Sequence, residues 1–365
     1  MDVVETLRRA PKERLKSTQR APNSREPGRI CVPMRIFSGI QPTGAKHLGN
    51  YSGGFRQYRT TQEEGEAFFC IVDLHSISVE YDPAELRRTS LDLAALFFAS
   101  GVDPERSVVF CQSHVPEHCE GMWLLSAVTS YGQLQRMTQF KDKAEHREFV
   151  SAALFTYPVL MAADVLLYQA HLVPVGDDQR QHLELMRDVA QRFNARFGET
   201  FVVPDGRFPT EGARIMDLQE PTMKMSTTGG TPQGTVLVLD APETIRKKIK
   251  SAVTDSERDV RYDPREKAGI SNLIEIMSVA TGETFEEIET RYDGQGYGPF
   301  KQEVADAVVE LLAPVQRRYA EIRADETELL RLLTSGAEKA RATVAPTLER
   351  MYEVMGFVAS PARRR

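Results

Sequence analysis

Short apolar runs alternating with longer amphipathic stretches constrain this chain more than any other feature. Ile36 to Ile40, Phe68 to Val72, Val108 to Cys111 and Leu172 to Val175 have the length and apolar content of buried strands, and helical patterns separate them. Such alternation predicts an α/β fold, a doubly wound parallel sheet covered by helices. Sheets of this kind bind ligands in the crevice at the carboxyl ends of their strands, so the polar residues after each run are the first place to look for a site. From about Glu243 the strand signals vanish and helical periodicity takes over through Ile249, Leu273, Ile288, Val308 and Leu330, which predicts a mainly helical second region.

The segment before the first strand lacks any such pattern. Residues 1–33 are polar and Arg-rich, with Pro11, Pro22 and Pro27 interrupting any regular element, and are expected to form a disordered extension. Asp2, Glu5, Glu13 and Glu26 are unusual for a transit peptide. Met34 stands directly before the first strand, so either the extension is dispensable or translation begins at Met34. The formal net charge of -6 gives no global affinity for nucleic acid, so contact with RNA must rest on local patches such as Arg246, Lys247, Lys248 and Lys250. Taken alone, that run also fits a solvated helix face. The four cysteines show no paired spacing and fit reduced thiols of a cytosolic protein. His114, His118 and Cys119 could be drawn as metal ligands, but Pro116 between the histidines and the adjacency of the cysteine argue against it, and no structural zinc is expected. No apolar stretch approaches the length that spans a bilayer, so the expectation is a soluble, cytoplasmic protein with no membrane partner.

Two segments carry the clearest chemistry. The strand at Arg35 to Ser38 runs into Gly39-Ile40-Gln41-Pro42-Thr43-Gly44 and then His47-Leu48-Gly49-Asn50, followed by a helical pattern. Glycines at a strand-to-helix junction let a nucleotide approach the backbone, and Gln41, Thr43, His47 and Asn50 supply donors for phosphate or ribose. In isolation such a turn is often only a turn. Far downstream, Lys224-Met225-Ser226-Thr227-Thr228 precedes Gly229 and Gly230, a loop able to bring a lysine and hydroxyls to an anionic site. Between the two lie the blocks Phe69 to His75, Tyr157 to Asp164 and Pro174 to Gln179.

In order and spacing these segments resemble the tryptophanyl-tRNA synthetases. The first and last correspond to the class I signatures HIGH and KMSKS, and the likeness runs from Met34 almost to the C-terminus. It implies a Rossmann-like catalytic domain over 34–218 and a helical anticodon-recognition region over 219–325 that includes the KMSTT loop. A C-terminal helix over 326–365 is expected to pack back on the catalytic domain. It further implies activation of L-tryptophan with ATP and Mg²⁺, transfer to tRNA(Trp), and a homodimer.

Carried across residue by residue, the resemblance makes His47, Asn50, Lys143, Lys224 and Ser226 catalytic. ATP would be held by Gln41, Pro42, Thr43, Gly49, Asn50, Gly176, Asp177, Asp178, Ile215 and the loop residues Lys224, Met225, Ser226, Thr227 and Thr228. Tryptophan would be held by Phe37, Gly39, His75, Tyr157, Met161, Asp164 and Gln179. Asp164 would accept from the indole N–H, a pairing of an acceptor-only with a donor-only group. Tyr157, Gln179 and His75 would hold the ammonium and carboxylate, although His75 by itself equally fits a satisfied core histidine.

One departure is clear: Thr227 stands where the family usually has a second lysine. The chain could therefore be an auxiliary copy, or a sensor that keeps the pocket without aminoacylation, and a tyrosyl-tRNA synthetase shares both signatures. Comparing tryptophan with tyrosine in adenylate formation, and then charging tRNA, separates these readings.

Overall fold

The computed structural model describes residues 33–145, 149–208, 214–227 and 229–358. The expectations for 1–32, Thr228 and the chain after 358 lie outside the described residues. Five strands form one sheet: β1 (Arg35–Ile40), β2 (Glu66–Ile71), β3 (Ser107–Cys111), β4 (Leu172–Pro174) and β5 (Asp205–Arg207). All pairs are parallel and the order is β3-β2-β1-β4-β5. β5, with the sequence Asp-Gly-Arg, carries no apolar run, which is why periodicity does not disclose it.

Successive side chains of a strand point to opposite faces, and the core divides accordingly. Phe69 and Ile71 of β2 join one apolar cluster with the Pro83–Ala99 helix. Phe68 and Cys70 join a second with the Ala152–Leu166 and Arg180–Phe197 helices on the other face. The sheet is thus wound on both sides. The first cluster continues without a break through Ile215, Met225 and Val236 into the helices Ala268–Thr281 and Tyr297–Ala324, so the helical region shares a core with the sheet.

The strand order reverses between β1 and β4. Their carboxyl ends, Ile40 and Pro174, therefore flank the switch point at which doubly wound sheets open a crevice. The opposite edge is closed: the Glu326–Val354 helix lies on β3 so tightly that a Cβ at Gly336 would stand 1.9 Å from the Val109 carbonyl oxygen. Covering an edge strand in this way removes a surface on which another chain could pair.

Candidate active site

The first signature follows β1 into a short turn of helix at Leu48–Asn50, which passes directly into a π-helical turn at Tyr51–Phe55. π turns inside helices are frequent at functional sites. The backbone N–H of His47 donates to Asn50 Oδ1 at 3.0 Å, which leaves the Asn50 amide hydrogens as donors on an exposed side chain. Lys46 Nζ donates to the carbonyls of Gln41 and Thr43, both at 2.9 Å, and so closes the glycine-bearing turn on itself. Pro42 within the turn is buried, while Gln41 and Thr43 are exposed. Gly39, at the end of β1, is needed for close approach: a Cβ there would meet Val72 Cγ1 at 3.0 Å.

The second signature comes to the first. Residues 235–238 run alongside it, with Leu48 N–H donating to Val236 O and Val238 N–H to Lys46 O, each at 2.8 Å. Gly44 sits at φ +64, where side chains are disfavoured, and a Cβ at that position would lie 3.2 Å from Thr227 Oγ1. Burial, followed by the charges of Lys224 and Lys46, lowers His47 to about 4, so its ring is neutral at pH 7. Burial lowers Lys46 to about 8. A cleft of about 450 Å³ runs past Lys46, Gly49, Asn50, Gly176 and Lys224, between the ends of β1 and β4. Gly176, exposed at the end of β4, lines its opposite side.

Two of the residues expected to contact the nucleotide are buried in this structure. Met225 and Ile215 are each 1% exposed, and Met225 N–H donates to Ile215 O at 3.1 Å, so their side chains belong to the core. The glycines after the loop likewise serve close packing. A Cβ at Gly230 would stand 2.8 Å from Asp217 Oδ2, and one at Gly234 would stand 1.7 Å from Asp217 Oδ1. Asp217 is the organiser here, and sequence reasoning missed it. It is 1% exposed and accepts from the backbone N–H groups of Gln219 at 2.8 Å, Glu220 at 3.1 Å and Thr231 at 3.1 Å. Its only outward sign is the nearby pair of glycines that must make room for it.

The other half of the site is built on the Ala152–Leu166 helix, which the Ser151 hydroxyl caps by accepting from Leu154 N–H. Tyr157, Met161 and Asp164 follow at helical spacing and share one face, and Tyr168 stands in the turn just after the helix. Asp164 is 2% exposed and carries three partners: His75 Nε2 on Oδ2 at 2.8 Å, with Gln112 Nε2 and His118 Nδ1 on Oδ1, both at 2.6 Å. Burial alone would raise this carboxyl; the hydrogen bonds from His118 and His75 outweigh it and bring Asp164 down to about 2. His75 therefore spends Nε2 on Asp164, and only Nδ1 remains to meet an amino-acid head group. Phe37 is 2% exposed, its ring centroid 5.1 Å from that of Tyr168, so it forms the floor of this half. Met161 is half-buried above.

Tyr157 is paired through its hydroxyl with His182 Nε2 at 2.8 Å, and burial raises that hydroxyl to about 12. His182 was not anticipated; burial, then the charge of Lys143, lowers it to about 4. Lys143 Nζ stands 5.4 Å from the Tyr157 ring centroid. Lys143 thus sits with Tyr157 and His182, while Lys46 and Lys224 are the lysines whose charges bear on His47. Gln179 Nε2 donates to Asp178 Oδ2 at 2.5 Å. Asp177 opens the same short 3-10 turn.

His118 is not aimed at a metal; it is fully buried against Asp164 and Tyr168, whereas Cys119 is exposed. The basic run on the Pro242–Lys250 helix is also divided. Lys248 is buried and donates to Asp240 Oδ2 and Thr235 O at 2.7 Å, and Arg246 pairs with Asp306, which leaves Lys247 and Lys250 exposed.

Comparison with known proteins agrees with this geometry. The family of tRNA synthetases class I (W and Y) matches residues 30–313. The chain is 51% identical to the tryptophan–tRNA ligase of Caldanaerobacter subterraneus over 324 residues, which are 89% of this chain and 98% of the relative. It is also 51% identical to the tryptophan–tRNA ligase of Oceanobacillus iheyensis, over 88% of this chain and 98% of that protein. The tryptophanyl-tRNA synthetase of Campylobacter jejuni, solved with ADP and tryptophan, superposes with a TM-score of 0.79 at 35% identity, covering 89% of this chain and all of that one.

Proposed function

The chain belongs to the class I tRNA synthetases of the tryptophan and tyrosine group, and from that membership we propose that it is a tryptophan–tRNA ligase: it joins L-tryptophan to ATP as tryptophanyl-adenylate and passes it to tRNA(Trp). The observation that carries the reading is the meeting of the two signature segments at the switch point, with Lys46 and Lys224 beside a neutral His47 and a buried acceptor, Asp164, below.

The reaction asks little covalent chemistry of the protein. The tryptophan carboxylate attacks the α-phosphate of Mg·ATP and displaces pyrophosphate, and a ribose hydroxyl of the tRNA then attacks the carbonyl carbon of the adenylate and releases AMP. Catalysis is positioning plus stabilisation of charge on the phosphates. His47, neutral at pH 7, offers a donor without a charge; its Nδ1 is buried with no partner among the described residues, so a nucleotide oxygen would satisfy it. Lys224 and Lys46 supply positive charge, Asn50 offers its amide hydrogens, and Ser226, Thr227 and Thr228 add hydroxyls. Gly49 and Gly176 admit the nucleotide to the backbone. Mg²⁺ enters with the nucleotide: among the described residues the cleft lining holds Lys46, Lys224, Arg207 and neutral groups, so the ion's ligands would be phosphate oxygens and water.

Asp164 accepts from the indole N–H, Phe37 and Met161 enclose the ring, and Tyr157, Gln179 and His75 Nδ1 take the ammonium and carboxylate. Lys143 approaches the phosphates from the tryptophan side. Region 219–325 receives the anticodon end of the tRNA, with Lys247 and Lys250 as exposed cations, and the enzyme works as a cytoplasmic homodimer. No described helix is long and apolar enough to cross a membrane. The test is amino-acid-dependent exchange of pyrophosphate into ATP with tryptophan or tyrosine, followed by charging of tRNA(Trp). Exchange with tryptophan and stable charging are expected. Exchange with tyrosine, or adenylation without charging, would sink the proposal.

A further inference from the structure

Asp164 is held from two sides, and one of them leads away from the substrate. His118 Nδ1 meets Asp164 Oδ1 at 2.6 Å, and its other nitrogen, Nε2, meets the Tyr168 hydroxyl at 2.9 Å. All three groups are buried: His118 and Tyr168 are 0% exposed and Asp164 2%. A carboxylate only accepts, so His118 Nδ1 must donate to it. Tyr168 completes the assignment, because its O–H can donate to Nε2 only while Nε2 carries no hydrogen, and the resulting tautomer keeps the Nδ1 hydrogen on Asp164.

The placement follows from packing. His118 lies on the Glu117–Ser126 helix one turn before Gly121, where a Cβ would come within 2.8 Å of Leu167 Cδ1. The missing side chain lets the helix approach close enough for His118 to reach Asp164. Tyr168 is locked in turn, its ring centroid 4.8 Å from Phe68 and 5.9 Å from Phe110.

Counting acceptors shows what the arrangement does. An ionised carboxylate offers about four acceptor sites. Oδ1 has both of its sites taken by Gln112 and His118, whereas Oδ2 has one partner among the described residues, His75. One site on Oδ2 remains, and its direction is set by the partners that hold Oδ1. We propose that His118, aligned by Tyr168, is a positioning residue for amino-acid selection: it fixes the rotation of the Asp164 carboxylate so that its one open acceptor site meets the indole N–H. This inference rests on the reading of Asp164 as the indole acceptor. A site whose buried acceptor must be matched discriminates strongly against an analogue that lacks the donor.

The experiment compares kcat/KM in pyrophosphate exchange for tryptophan and for its benzothiophene analogue, in which sulfur replaces the indole N–H, using the full chain. His118→Phe is expected to lower the value for tryptophan by about ten- to thirtyfold while the analogue changes little, so that the preference shrinks with no change in KM for ATP. Tyr168→Phe, which keeps the ring in its aromatic setting, should shrink the preference by about threefold, and His118→Asn, which can still donate from the Nδ1 position, should restore most of it. If His118→Phe fails to fold, Tyr168→Phe and His118→Asn carry the test. Equal losses for both amino acids would show a purely structural role and overturn the proposal. A preference that collapses in Asp164→Asn but survives in His118→Phe and Tyr168→Phe would overturn the relay alone; one that survives in Asp164→Asn would remove the reading beneath it as well.

Discussion

Two buried carboxylates organise the two halves of the site, and they do so by opposite means. Asp217, in the half proposed to hold the nucleotide, is satisfied by backbone N–H groups two, three and fourteen residues further along the chain. Asp164, in the half proposed to hold tryptophan, is satisfied by the side chains of His75, Gln112 and His118, which lie 89, 52 and 46 residues away in sequence. The first can be arranged by one segment folding on itself, with glycines at 230 and 234 leaving room for the carboxylate. The second exists only when separate elements have packed. A locally held group fixes the shape of a loop, whereas a group held from several elements fixes an atom in a pocket, and selection among amino acids needs the latter.

The contrast breaks most severely at Gly234. An alanine Cβ would stand 1.7 Å from Asp217 Oδ1, so the loop must move. Overpacking of this kind costs about 1–3 kcal/mol. Displacement of the loop by an ångström or so should lower kcat/KM for ATP by about a hundredfold, with KM for tryptophan unchanged. Asp217→Ser in the same chain removes the obstructing oxygens and should recover much of the loss, while Gly229→Ala, which meets only Ser226 Oγ at 4.0 Å, should stay near wild type. Steady-state kinetics of the three variants would check this, and a tolerated Gly234→Ala would show that Asp217 does not define the loop.

Asp164→Asn probes the other half. The amide keeps an oxygen but loses the charge and turns an N–H toward groups that also donate. Hydrogen bonds to charged groups contribute about 1.5–3 kcal/mol, which corresponds to roughly ten- to a hundredfold or somewhat more in kcat/KM for tryptophan. ATP binding should not change. If the Asn variant lost both substrates equally, the two halves would not be separable in the way their hydrogen bonds imply.

Thr227 sharpens the comparison on the nucleotide side, because this exposed hydroxyl lies against Gly44 of the first signature. Thr227→Lys restores a positive charge where pyrophosphate would leave and should raise the single-turnover rate of adenylate formation about ten- to thirtyfold, on the order of 1.4–2 kcal/mol. Rapid-quench measurement decides it; a flat or lower rate in a folded variant would mean that Lys46 and Lys224 already suffice.

The smallest effect is on stability against pH. His47 in one half and His182 in the other are both lowered to about 4 from an ordinary 6.5. Between those values the unfolded chain binds more protons than the folded one, so stability falls as pH drops through this window. From pH 7 to pH 6 each histidine should remove roughly 0.7 kcal/mol. Replacing His182 with Gln should about halve the slope of Tm against pH. An unchanged slope would show that burial at this position does not bear on its titration.

Much of this was legible in the residues. The four apolar strands are found within one or two residues of their apolar runs, because a buried parallel strand must be apolar on both faces. β5 was missed because Asp-Gly-Arg at a sheet edge has no such requirement. Tyr157, Met161 and Asp164 could be placed on one helix face from spacing alone. Sequence offered no means of seeing that Ile215 and Met225 turn inward, since an apolar residue in a loop signature has the same composition whether it faces a ligand or a core.

By itself the sequence determined the alternation that makes a doubly wound sheet, the residues that follow β1 and β4, and the lysine and hydroxyls of the distant loop, because each depends on the chemistry of neighbours along the chain. Only the tertiary structure decided that Lys46 and Lys224 would press on one neutral histidine, and that Asp217 would be walled in by backbone. It alone decided that Asp164 would be gripped by His75, Gln112 and His118. Those facts depend on which surfaces pack together, and side chains from several elements converge on a buried carboxylate only because an ion without partners could not remain there.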